Sequence, residues 1–350
     1  MKALRRRGPG TMECVEVSEP AAGEDEVLVR VHHTGICGSD IHRFHDEDPR
    51  WDTVTMGHES AGVVAETGPG VDPRLVGARV AIAPLVPCHV CANCQRGWYS
   101  QCASYSFIGS RRDGAFAEYV VVPARNLVAV PESLSLERAA LIEPLTVVLH
   151  PLLMAPRVMG SVTNAVVVGL GPIGLLVVQV LRWMGVPAIV ACDVDTPRIE
   201  LAREMGAHLG VNPAETPIHE VTDPLGGADL VVEASGTAAG QNGALRCAGS
   251  RGTVFLVGTS PKACTFEAGL MERVSRKEIS ITGSWMNYSA PWPGTEWTLA
   301  LQLLESGAVQ QESLVTHRLP LERGPEGFAL TAHRSEPFLK ILVSPEEADT

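Results

Sequence analysis

The sequence predicts an α/β protein in which a short-stranded, loop-rich β unit precedes a doubly wound parallel sheet. Three observations carry that expectation. Strand-length apolar runs bounded by Gly, Pro or charge occupy the first third, at 27–31, 62–65, 79–82 and 119–122, with little helical patterning between them. From about Val162 the rhythm changes, and buried-type strands at 165–168, 188–192, 229–232 and 253–257 alternate with helical segments at 175–184, 197–205 and 238–247. Such alternation builds a parallel sheet with helices on both faces. Finally, 350 residues exceed what one hydrophobic core ordinarily serves, so two domains are expected.

The β-rich unit is expected to span 1–150 and the parallel-sheet unit 151–294. The remainder, 295–350, offers a helix at 296–304 and a strand at 339–343, and is expected to return to the first unit. Inside the first unit, 84–106 stands out as a lobe with few core-forming apolar residues.

Composition excludes several classes of function. Hydrophobic residues make up 45% of the chain and charged ones 19%, enough for packed interiors and contrary to disorder. A formal net charge of -12 leaves no general basic face, so no nucleic-acid partner is expected. Arg5, Arg6 and Arg7 are not followed by an apolar run and do not read as a secretory signal. The apolar stretch 165–181 is interrupted by Gly169, Gly171, Pro172 and Gly174, which suits a buried strand-turn-helix and not a membrane span. A cytoplasmic protein with no membrane partner is expected.

Gly169-Leu170-Gly171-Pro172-Ile173-Gly174 follows the strand at 165–168 and opens a helix. In that setting the first glycine permits a tight turn and the second lets backbone approach a pyrophosphate. The third allows close helix–strand packing, and the helix N-terminus offers free N–H groups to the phosphates. The next strand ends at Asp193, whose carboxylate can accept hydrogen bonds from ribose hydroxyls and would repel a 2′-phosphate, favouring NAD over NADP. Arg198 could cover the adenine or ribose. Val257, Gly258 and Thr259, at the end of a later strand, are expected to touch the cofactor through backbone.

Nine cysteines are present, an odd count, and four fall as Cys88-x-x-Cys91-x-x-Cys94-x7-Cys102. Four thiolates at this spacing can close a tetrahedral zinc shell with no open position, a structural site whose metal would supply the lobe's folding energy. Cys37 lies in Gly35-Ile36-Cys37-Gly38-Ser39-Asp40-Ile41-His42, and His58 and Glu59 lie in Met56-Gly57-His58-Glu59-Ser60-Ala61-Gly62. A thiolate, an imidazole and a carboxylate beside a dinucleotide fold suit a catalytic zinc with an open position.

These motifs, spread along nearly the whole chain, resemble the zinc-containing medium-chain alcohol/polyol dehydrogenase family. The resemblance implies a GroES-like catalytic domain joined to a Rossmann domain, with NAD and two zinc ions per subunit, one catalytic and one structural. It maps the family's Gly-His-Glu motif to His58-Glu59 and its first zinc cysteine to Cys37. In polyol members a glutamate in a Glu-Pro motif gives the third zinc contact, and Glu143-Pro144-Leu145-Thr146-Val147 fits that place. The strings 102–114 and 283–294 resemble the branch that oxidises galactitol 1-phosphate to tagatose 6-phosphate.

The resemblance also implies roles for single residues. Ser39 and His42 match the family's hydroxyl-to-histidine proton relay. Arg43, helped by His45, matches an arginine of the galactitol-phosphate branch and is a candidate phosphate or distal-hydroxyl contact. Trp285, Met286 and Asn287 are expected to border the nicotinamide end of the cleft, with Trp285 and Asn287 as substrate contacts. Charge counting constrains the metal shell: one thiolate and one carboxylate neutralise Zn²⁺, and a second carboxylate would make the site negative. The two glutamates are therefore not expected to bind tightly together; the resemblance makes Glu143 the expected ligand, with Glu59 a neighbour that exchanges in or holds a water. The expected partner is a sugar alcohol or sugar-alcohol phosphate, and a homodimer or homotetramer is the family's usual assembly. A free-polyol dehydrogenase and a redox-inactive NAD- and zinc-binding regulator are the alternatives.

Overall fold

The computed structural model describes residues 1–154, 162–260, 262–333 and 335–345; the end of the expected C-terminal segment, 346–350, lies outside them. Two compact units emerge, Met1–Thr146 together with Tyr288–Thr350, and Val147–Asn287. Residues 288–294, expected in the parallel-sheet unit, thus belong to the first.

The first unit is organised by a seven-stranded sheet. Its order is Val315–Pro320, Lys340–Ser344, Glu26–Gly35, Glu59–Thr67, Arg79–Ile82 and Leu127–Ala129, with Tyr119–Pro123 also paired to Glu26–Gly35. Only the pair Val315–Pro320 and Lys340–Ser344 is parallel; the others are antiparallel. The β-branched runs that marked these strands supply a core of Val27, Val29, Val31, Val64, Val80 and Val122. Burying each such side chain stabilises the fold by about 1.5–3 kcal/mol. A second core, with Leu4, Ile36, Phe44, Met56, Phe116 and Phe328, lies under the helices Gly38–His45 and Gly324–His333. This second core fixes the helix that follows Cys37 against the loop that carries His58.

Helix content before residue 155 exceeds the sequence expectation. Gly38–His45 is short and polar on its outer side, and Ile142–Met154 carries Pro151 in its interior, so neither shows an uninterrupted helical period.

The second unit holds a six-stranded sheet, all parallel, in the order Leu209–Val211, Ala188–Cys192, Asn164–Val168, Ala228–Glu233, Ala248–Leu256 and Ser280–Gly283. The four strands read from sequence are its centre, and both unread strands are its edges. Leu209–Val211 is three residues long, and all four residues of Ser280–Gly283 are exposed, so neither leaves a buried-strand signature. Strand order reverses beside Asn164–Val168, and the glycine motif lies at its C-terminal end, where open α/β sheets bind ligands.

Candidate active site

Cys37 is the N-cap of the helix Gly38–His45, with extended backbone angles. Asp40 in the first helical turn turns back so that its Oδ2 accepts from the Cys37 N–H at 3.1 Å. His58 follows Gly57, whose φ of +97° belongs to the left-handed region; a Cβ there would meet the Phe116 backbone N at 2.7 Å. Glu59 opens the next strand opposite Gly35, and a Cβ on Gly35 would fall 2.1 Å from Glu59 Oε2. Gly35 therefore makes room for Glu59, and Gly57 lets the chain before His58 pass close to Phe116 and Thr34.

Donor atoms of Cys37, His58 and Glu59 lie within 4.8 Å of one another. His58 Nδ1 is 3.4 Å from Asp40 Oδ1, which leaves Nε2 as the ring atom available to a metal. Burial alone would pull the His58 ring down and lift the Asp40 carboxyl. Their mutual attraction wins, with help from the Cys37 thiolate on the ring and Arg43 on the carboxyl, so His58 is raised and Asp40 lowered. A pocket that draws a proton onto a buried imidazole offers the same attraction to a cation. A thiolate, an imidazole and a carboxylate fit zinc.

Glu143, the expected third ligand, is buried at 8% exposure on the helix Ile142–Met154 but lies outside this trio. Glu59 is 2% exposed and faces Lys340, whose Nζ donates to both carboxylate oxygens at 2.7 and 2.6 Å and to the Ile36 carbonyl at 3.2 Å. Lys340 is held above its usual pKa: burial opposes the charge, and the Glu59 carboxylate and Cys37 thiolate outweigh it.

Ser39 is half-buried and His42 exposed on the helix that Cys37 caps. Arg43 Nη1 donates to Asp40 Oδ1 at 2.9 Å and to Ser39 Oγ at 3.2 Å, and the guanidinium lies 5.4 Å from the Trp51 ring centre. His45 is exposed and packs edge-on to Phe44.

Cys88, Cys91, Cys94 and Cys102 converge with their sulfurs within 4.8 Å of one another. N–H groups of Val90 and Cys91 pull Cys88 down to about 6, while burial lifts Cys94 to about 12. Four clustered sulfurs cannot all ionise without a cation among them, and Zn²⁺ suits that donor set. Tyr99 and Trp292 pack against His89 inside this lobe at ring separations of 5.6 and 5.2 Å.

In the second unit the three glycines of the motif differ in their surroundings. Gly169 has φ +90° and a Cβ would strike Ser235 backbone at 2.7 Å; a Cβ on Gly174 would lie 1.8 Å from the Gly169 carbonyl oxygen. Gly171 faces open space, with nothing within 4 Å of such a Cβ, which suits close approach by a pyrophosphate. Pro172 and Ile173 start the helix Pro172–Trp183. Asp193 Oδ2 accepts from Leu170 N at 2.6 Å, tying the strand end to the glycine turn. Arg198 is ion-paired to Asp195 at 3.3 Å. The N–H groups of Val257 and Gly258 both donate to the Glu233 carbonyl at 2.9 Å, and Thr259 packs its carbonyl against Gly236. Trp285 is 52% exposed, Met286 has φ 60°, and Asn287 is buried.

Sequence reading passed over Asp40, Lys340 and Gly35. Asp40 was visible as a carboxylate three residues after Cys37. Lys340 was visible as one charge at the head of Lys340-Ile341-Leu342-Val343, an otherwise apolar strand, where a buried ammonium requires an acidic partner.

A thiolate–imidazole–carboxylate trio in one unit, with the imidazole and the carboxylate buried, and a dinucleotide-type glycine turn in the other define the class of zinc-dependent dehydrogenases. Residues 23–132 match the alcohol dehydrogenase GroES-like domain and residues 172–306 the zinc-binding dehydrogenase domain. Galactitol 1-phosphate 5-dehydrogenase of Escherichia coli K12 is 37% identical over 323 residues, covering 91% of this chain and 93% of that one. Sorbitol dehydrogenase of Halalkalibacterium halodurans is 32% identical and covers 99% of each chain. The crystal structure of galactitol-1-phosphate dehydrogenase from Escherichia coli superposes with a TM-score of 0.89 at 35% identity, covering 99% of this chain and 100% of that one. The chain belongs to the zinc-dependent medium-chain alcohol dehydrogenase family, whose members act on CH–OH groups.

Proposed function

We propose that this protein oxidises a secondary hydroxyl of a sugar-alcohol phosphate, galactitol 1-phosphate to tagatose 6-phosphate, with NAD as hydride acceptor. The carrying observation is the meeting of half-buried Cys37 with buried His58 and Glu59 beside an arginine, Arg43, that is only partly committed to protein partners. Cys37, His58 and a carboxylate, Glu143 or Glu59, would hold a zinc ion, which when bound would supply Lewis acidity for the alcohol oxygen. A second zinc in the four-cysteine lobe supplies folding energy. The alcohol loses a hydride to NAD⁺ and a proton to water, giving ketone, NADH and H⁺.

The chain's own residues divide the remaining work. Asp40 fixes the His58 ring, so that one nitrogen faces the metal and the other a carboxylate. Ser39 and His42 lie three residues apart on one helix face, the first half-buried and the second in solvent, and carry the proton outward. Arg43 is anchored through Nη1 and backed by Trp51, which leaves Nε and Nη2 for the substrate's phosphate. Gly171 and the helix behind it receive the NAD pyrophosphate, and Asp193 selects against a 2′-phosphate. A homodimer or homotetramer is the proposed assembly.

The 32% identical sorbitol dehydrogenase supports a second reading, a free polyol. Steady-state rates with NAD on phosphorylated and free galactitol, for wild type and Arg43→Ala, separate the two. We expect preference for the phosphate and its loss in the variant, through KM more than kcat. Equal use of both by wild type, or an unchanged preference in Arg43→Ala, would overturn the phosphate assignment.

A further inference from the structure

Charge counting around Cys37 leaves a problem that Lys340 resolves. Zn²⁺ is neutralised by the Cys37 thiolate and one carboxylate, yet two buried carboxylates act on Lys340 beside this site, Glu59 at 2% and Glu143 at 8% exposure. Two carboxylates and a thiolate would leave the metal with one excess negative charge and oppose the negative charge that develops on the substrate oxygen. Lys340 is 4% exposed, and its Nζ spans both oxygens of Glu59 at 2.7 and 2.6 Å with the Ile36 carbonyl as third acceptor at 3.2 Å. An ammonium buried this deeply is retained only with a charged partner. Zn²⁺, the Cys37 thiolate, two carboxylates and the Lys340 ammonium sum to zero.

We infer that Lys340 is a positioning residue that competes with the catalytic metal for Glu59, so that this carboxylate stays beside the metal without becoming a full ligand. The inference rests on the reading of the Cys37 site as a metal centre. The backbone serves the same end. Glu59 can reach Lys340 because Gly35, directly across the strand pair, has no Cβ to displace the carboxylate. Lys340 itself comes from the strand Lys340–Ser344, which pairs with the end of Glu26–Gly35 next to Cys37. The last strand of the chain thereby sets the charge of a site whose ligands lie in its first half.

The signature is a movement of two quantities in opposite directions. In Lys340→Met the metal-free protein loses the partner of a buried carboxylate, and its Tm falls by several degrees. Zinc binding at the same site becomes tighter, by roughly 10- to 100-fold, because a cation near the metal is gone and Glu59 is released to bind it. Lys340→Gln, which keeps a hydrogen-bond donor without the charge, shows the same signs with a smaller fall in Tm. Glu59→Gln combined with Lys340→Met recovers metal-free stability and loses the gain in zinc affinity.

The experiment is chelator competition on the full-length zinc-loaded protein at mildly alkaline pH, alongside thermal unfolding of the metal-free form. The relevant zinc is the one whose release phase disappears in Cys37→Ser. A purely structural Lys340 would weaken zinc binding or leave it unchanged as stability falls; either result in both Lys340 variants overturns the inference, as does unchanged metal-free stability in both. Should Cys37→Ser alter no release phase, the metal-centre reading falls and this inference with it. If the zinc phases behave as expected but no sugar alcohol reduces NAD, only the proposed activity fails.

Discussion

Replacing Asp40 with Asn removes one charge from the middle of the proposed metal site while keeping the side chain's size. Three groups converge on that carboxylate: the Cys37 N–H at 3.1 Å, Arg43 Nη1 at 2.9 Å and His58 Nδ1 at 3.4 Å. The first two donate to Asp40 and the His58 ring is ion-paired with it, whereas an amide accepts only through one oxygen, so at least one of these groups then faces an NH₂ group. Breaking a buried pair of this kind costs about 3–5 kcal/mol when the stranded partner is fully buried. Arg43 keeps 19% of its side-chain surface in water, so the lower end of that range, about 3 kcal/mol, is expected here. The imidazole also loses the group that orients it, which lowers metal affinity by about 10- to 100-fold. Denaturant unfolding of the metal-free protein and chelator competition measure the two effects separately. A variant with wild-type zinc affinity would refute the role assigned to Asp40, whatever its stability.

Four further outcomes are expected. Gly171→Ala should weaken NAD binding by tenfold or more at unchanged Tm, because its Cβ meets only open space that the pyrophosphate needs; calorimetric titration with NAD checks this. Gly174→Ala, with a Cβ 1.8 Å from a carbonyl oxygen, should instead destabilise the second unit by about 1–3 kcal/mol, read from denaturant midpoints. Cys94→Ser should remove one zinc per chain and make residues 84–106 sensitive to protease, since that lobe's fold depends on its metal; bound-zinc analysis with limited proteolysis tests it. Asp229 is pushed up by burial but held below its usual value by Thr163 N and Oγ1 at 2.8 and 2.7 Å and by Asn164 N at 3.1 Å. A folded pKa below the unfolded one contributes stability that is complete above about pH 4 and lost as pH falls through the folded value, so Asp229→Asn should flatten the acid limb of the stability curve.

Much of this architecture was legible where periodicity and chemistry agree. The four central strands of the parallel sheet are continuous apolar runs, and the glycines between the first strand and its helix stand out as a spaced motif; the space around Gly169, Gly171 and Gly174 differs. The edge strand Ser280–Gly283 was not legible, because its side chains are exposed and its pairing is purely backbone. The helix Gly38–His45 was hidden for another reason: its start is set by the Cys37 N-cap and Asp40, a local hydrogen-bond motif and not a hydrophobic period. At the metal site, Cys37 and His58 stood out as residue types in motifs. Charge balance opposed two bound carboxylates without choosing between Glu59 and Glu143, and the cation paired with Glu59, Lys340, is 281 residues from it in sequence. Nothing local in either segment links the two; only the pairing of the last strand with Glu26–Gly35 does.

NADH formation by zinc-loaded protein supplied with galactitol 1-phosphate and NAD, with Cys37→Ser run in parallel, tests the central assignment most directly. The expected result is turnover that chelation abolishes, that zinc restores and that Cys37→Ser lacks. Absence of NADH from a fully zinc-loaded protein with every sugar alcohol offered, phosphorylated or free, would contradict it, as would turnover that survives Cys37→Ser.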